Sequence, residues 1–68
     1  MTGAAEIKVE GRVFIAETCI LEAGVVTATG RYRRLAGANY AQEHFGPRQM
    51  LSWPVRRVDR IKWLSPVA

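Results

Sequence analysis

Apolar and polar positions alternate along this chain in short runs separated by glycine. That is the two-residue period of β-strands, not the helical period. The clearest run is ILEAGVVTATGRYRR. Val26, Ala28, Gly30 and Tyr32 share one parity, and Thr27, Thr29, Arg31 and Arg33 share the other. The first set is expected to face a core and the second to face water. Glu22-Ala23-Gly24 reads as the loop of a hairpin, with Gly24 supplying a positive φ. Gly30, in mid-strand, marks a bend or a close backbone approach.

Upstream, Ile7, Val9, Val13 and Ile15 keep one parity across EIKVEGRVFI. Gly11 interrupts that stretch, which predicts a bulge or bend in one long strand. From Arg12 to Leu21 both parities carry apolar residues, so the pattern assigns no inward face there. LAGANYAQEHFGPRQ is the least regular part and is rich in turn formers. It predicts a long loop between strands, covering residues 35–48, with Tyr40 and Phe45 pinning it down. The ends, residues 1–5 and 65–68, are expected to fray.

The segment SWPVRRVDRIKWL decides how the fold ends. As a helix, its apolar residues Val55, Val58, Ile61 and Leu64 would smear around half the surface. Its content of Val, Ile and Trp favours strands. The consistent reading is a strand ending at Pro54, a 3₁₀-like turn over Val55 to Val58, and a last strand DRIKWL. Val55, Val58 and Ile61 would then plug the core, and Trp53 is assigned to it as well. Over residues 49–64 this pattern resembles the end of SH3-like and Sm-like small barrels. The resemblance implies an all-β fold of five strands, either an SH3-like barrel or a strongly bent antiparallel sheet. It also implies binding of nucleic acid or peptides, an expectation that fold alone does not fix.

Size limits the core. The 68 residues make one domain. A chain this short buries only about 60% of its unfolded surface. Cys19 is the one cysteine and His44 the one histidine, so neither an internal disulfide nor a Cys/His zinc cluster is available. Tight packing or self-association remains, and a homo-oligomer is an open expectation. A lone thiol and the lack of any export signal point to the cytoplasm, and no apolar run is long enough for a membrane span.

Charge adds the functional hint. Residues 1–30 hold Lys8 and Arg12 against Glu6, Glu10, Glu17 and Glu22, a net −2. Residues 31–68 carry a net +6. Such asymmetry suits an acidic partner. Cys19 and His44 make a poor nucleophile and base, the acids are scattered, and no phosphate-binding loop is present, so no catalysis and no cofactor are expected. The expected binding residues are Arg31, Arg33, Arg56, Arg57, Arg60 and Lys62, with Tyr40 and Trp63 as exposed aromatics. Two partners fit: an acidic protein surface, in an interaction or assembly module, or nucleic acid held through its phosphates. The second requires Arg31 and Arg33 to share a side with Arg60 and Lys62. Glu17, Glu22 or Asp59 among them would neutralise the patch.

Overall fold

The computed structural model describes residues 1–38 and 42–64. Its strands are β1 (Thr2–Val9), β2 (Arg12–Glu22), β3 (Val25–Ala36), β4 (Gln42–Phe45), β5 (Gln49–Pro54) and β6 (Val58–Trp63). They form one six-stranded antiparallel sheet, with a 3₁₀ turn at Val55–Arg57. The all-β fold, the 3₁₀ turn and the strand that follows it match the expectation. The number of strands does not. The extra one, β4, lies inside the segment read as a loop and pairs with Arg33 to Ala36 of β3. All its residues are exposed, so it carries no apolar alternation to reveal it. In the segment 1–5, expected to fray, residues 2–5 instead belong to β1: Ala5 is fully buried, and the Met1 ammonium just before the strand donates to the Leu21 carbonyl.

Gly11 makes a turn, not a bulge. Glu10 and Gly11 both have positive φ, at 53° and 72°, and Val9 pairs with Arg12 across them. This is the left-handed pair that a two-residue hairpin turn requires. Such a turn inverts parity, since residue i meets i+3. Ile7 and Val9 therefore share the inner face with Phe14 and Ala16, not with Val13 and Ile15. Ala23 and Gly24 repeat the device at the β2–β3 hairpin, with φ of 52° and 75°.

A β-bulge inverts parity once more. Ala16 pairs with Gly30 and Thr18 with Thr29, which leaves Glu17 as the extra residue. Beyond it Cys19 faces inward. The core is Ala5, Ile7, Val9, Phe14, Ala16, Cys19, Val26, Ala28 and Trp53. Phe14 is its centre and meets Tyr32 and Trp53 edge to face, at centroid distances of 5.1 and 5.5 Å. Val58, Ile61 and Trp63 pack against it, but Val55 is exposed.

The sheet is curled. Strand order runs β4-β3-β2-β1-β6, and β5 pairs with β3 on the edge it shares with β4. Laid flat, β5 and β6 would stand four strand spacings apart, roughly 19 Å. The turn that joins them has 3 residues, a span of about 6 Å. It also touches both hairpin tips: Val55 N–H donates to the Gly24 carbonyl at 2.9 Å, and Arg57 Nη2 donates to Glu10 at 3.2 Å. Strand pairing leaves the sheet open between β5 and β6 among the described residues.

Candidate functional site

With the inner face fixed, the alternate positions define an outer face. Two cross-strand rows cross it. Lys62, Glu6, Ile15 and Arg31 form one, on β6, β1, β2 and β3. Arg60, Lys8, Val13, Arg33 and Phe45 form the other, which extends onto β4. Arg31 and Arg33 thus lie on the same side as Arg60 and Lys62, as the basic-patch expectation required. Lys8 joins them. Charge along the chain does not point to it, because the first 30 residues carry a net negative charge and only the turn at Glu10–Gly11 sets Lys8 beside Val13.

Half-buried Val13 and Ile15 form the floor between these cations. Long basic side chains cover such apolar floors with their stems and keep their charged ends in water. Here two shallow recesses result. One, of about 150 Å³, is lined by Glu6, Lys8, Val13, Arg60 and Lys62. The other, of about 220 Å³, is lined by Ile15, Glu17, Gly30, Arg31 and Phe45. Phe45, expected to pin a loop, instead stands at the rim of the face, 50% exposed. Its partner in the register is Arg33.

The acids are mostly occupied or displaced. Glu17 borders the second recess, yet its carboxylate accepts a 2.8 Å hydrogen bond from Arg48 Nε. Asp59 is the unpaired residue of a bulge in β6, and Glu22 stands at the far end of β2, opposite Val25. The acid that does interleave is Glu6, with Oε1 3.6 Å from Arg33 Nη2. That separation is too long for a strong charge-assisted hydrogen bond.

Other expected residues lie elsewhere. Arg56 and Arg57 occupy the 3₁₀ turn, and Arg57 is engaged with Glu10. Trp63 is half buried against the core because β6 places it with Ile61 on the inner face. That corrects its reading as an exposed aromatic. Tyr40 lies outside the described residues.

Cys19 is fully buried, and desolvation raises its thiol pKa above the ordinary value, against a smaller opposing effect of the N-terminal ammonium. It pairs with Ala28 of β3, whereas His44 pairs with Arg34. Those two positions on β3 are about 20 Å apart along the strand. No group of His, Cys, Asp or Glu among the described residues is placed to hold a metal ion. No family model matches this chain, and no curated protein or solved structure shows significant similarity to it.

Proposed function

We propose that this chain is a non-enzymatic binding module that holds single-stranded nucleic acid on the outer face of its sheet. The observation that carries the reading is the pair of cross-strand rows. They gather Lys8, Arg31, Arg33, Arg60 and Lys62 around one carboxylate, with Phe45 exposed at the rim. The cations neutralise phosphates and release counterions. Phe45 offers a π-face to an unpaired base, which a duplex keeps stacked inside. The scaffold, in this reading, is a small SH3-like barrel, supported by the meander β1-β2-β3, the return of β6 to β1 and the short 3₁₀ connection. A cytoplasmic location fits the free, buried thiol.

The test is fluorescence anisotropy of labelled single- and double-stranded oligonucleotides at low and physiological salt. Single strands should bind more tightly, and affinity should fall steeply with salt. The slope of log K against log salt should be about −0.7 per neutralised phosphate. Arg31→Glu/Arg33→Glu should abolish binding. No binding at low salt would end this reading.

A second reading is favoured by β5. Its edge Gln49–Pro54 carries no charge, Met50 is 71% exposed, and β3 is its one strand partner among the described residues. Such an edge accepts a further strand. An assembly component, whether a homo-oligomer or a module docked on an acidic protein, is that reading. Sedimentation equilibrium tests it: a monomer at all concentrations rules out self-assembly.

A further inference from the structure

β3 outruns its neighbour. Pairing with β2 stops at Val13 opposite Arg33, where β2 begins after the Glu10–Gly11 turn. From Arg34 to Ala36, β3 pairs with β4 on one side and, among the described residues, with no strand on the other. The opening left there is a groove of about 450 Å³, lined by Gly11, Arg12, Val13, Tyr32, Arg33, Arg34 and Leu35. Its size falls within the range of about 300–1,000 Å³ usual for small-molecule sites.

Both faces of β3 border this opening, so arginines of opposite parity line it. Arg33 comes from the outer face, and Arg12 and Arg34 from the inner parity. Arg12 lies over the Tyr32 ring, its guanidinium carbon 3.7 Å from the centroid. Stacking uses the face of the planar ion and leaves its in-plane N–H donors free. Tyr32 therefore fixes Arg12 without consuming its hydrogen bonds. Neither Arg12 nor Arg34 is in an ion pair among the described residues, and the nearby Glu10 is already held by Arg57. Glu43, opposite Leu35, is across β3 from the groove, on β4.

An internal phosphodiester carries one negative charge. A terminal phosphate monoester carries about −1.5 to −2 and three acceptor oxygens. Two guanidiniums outside any ion pair among the described residues, those of Arg12 and Arg34, line one groove and match the second group better than the first. We propose that this groove is a pocket for a terminal phosphate monoester, one that captures the phosphorylated end of a strand lying on the outer face. Val13 and Leu35 supply apolar walls for the attached sugar. The strand's placement rests on the nucleic-acid reading above, whereas the affinity of the pocket for a monoester does not.

The experiment has two arms. Anisotropy compares one oligonucleotide carrying a 5′-phosphate, a 3′-phosphate or hydroxyl ends, against the native protein and Arg34→Ala. One phosphorylated end should bind about tenfold more tightly than the hydroxyl form, about 1.4 kcal/mol. Arg34→Ala should remove that gain and leave the hydroxyl form unchanged. Equal affinities for all ends would overturn the pocket and leave the outer-face reading standing. In the second arm, phenyl phosphate is titrated into ¹⁵N-labelled protein. Saturable shifts at the Gly11, Arg12, Arg34 and Leu35 amides are expected. Such shifts without any oligonucleotide binding would keep the pocket and remove the outer-face reading. No shifts in this arm would overturn the pocket.

Discussion

Gly30→Ala should come close to unfolding this protein. A Cβ at position 30 would lie 1.9 Å from the Ile15 carbonyl oxygen and 2.8 Å from the Ala16 Cα. All the nearest atoms are backbone, so no rotamer change relieves the clash. Opening the contact to about 3.2 Å requires the two strands to part by more than an ångström, a displacement that the short range of dispersion and hydrogen bonding does not tolerate. The shift falls where Ala16 pairs with Gly30 and Ile15 with Arg31. Losing about two ladder hydrogen bonds costs roughly 1–3 kcal/mol. Overpacking the Phe14 and Ala16 layer adds roughly 1–3 kcal/mol more. The total, about 2–6 kcal/mol, compares with a whole stability of roughly 3–10 kcal/mol for 68 residues. Urea unfolding followed by tryptophan fluorescence measures it, with Gly46→Ala as the control. Among the described residues position 46 meets nothing closer than 4.0 Å, and it has no positive φ, so that substitution should shift stability by less than about 0.5 kcal/mol. If Gly30→Ala unfolds at the same urea concentration as Gly46→Ala, the close approach is not what holds β2 against β3.

Phe45→Ala should weaken single-strand binding by about 1–3 kcal/mol, read by anisotropy, and leave the salt slope unchanged, because it removes stacking and no charge. Cys19 should react with a thiol reagent far more slowly in the native protein than in urea, since burial keeps it protonated. The raised folded pKa also sets a sign. The stability it contributes is intact below the unfolded value near 9.0 and is lost as pH rises through the folded value. Urea midpoints from pH 7 to 10.5 should therefore fall less steeply in Cys19→Ala than in the native chain. The exposed Arg48–Glu17 pair should show a coupling of about 0.2–1 kcal/mol in a double-mutant cycle at low salt, shrinking as salt is added.

The elements that could be read in the sequence are those where one local signal was unopposed. Val26, Ala28 and Gly30 are buried as their alternation implied, and Trp53 entered the core beside Pro54. Across residues 7–21 polarity suggests a bulge at Gly11 and assigns no face from Arg12 on, because two parity inversions, at Glu10–Gly11 and at Glu17, lie within one apolar stretch. Between them the chain puts Val13 and Ile15 on the outer face, so apolar residues occupy both parities. A two-residue turn and a bulge look alike in a pattern that records only polarity. Positive φ at Glu10 separates them, and glutamate is not a residue whose identity announces it. Charge alone points to Arg31, Arg33, Arg60 and Lys62, but their shared face depends on the return of β6 to β1. Lys8 belongs with them only through that pairing, which sets it opposite Arg60.

The same inversions tie the fold to the face. Without the Glu10–Gly11 turn, Val13 and Ile15 would share parity with Ile7 and Val9, and Lys8 would have no apolar floor beside it. Without the bulge at Glu17, β2 would run straight and Cys19 would face water. The curl then follows from Glu17 and Gly30 together: the extra residue bends β2, and the absent side chain lets β3 follow it closely. That curl brings β5 and β6 within reach of three residues. With β6 returned to β1, Arg60 and Lys62 flank Lys8 and Glu6. A lesion at Gly30 should therefore disperse the basic face as it loosens the core, whereas a lesion at Arg31 or Arg33 should remove charge and leave the core intact.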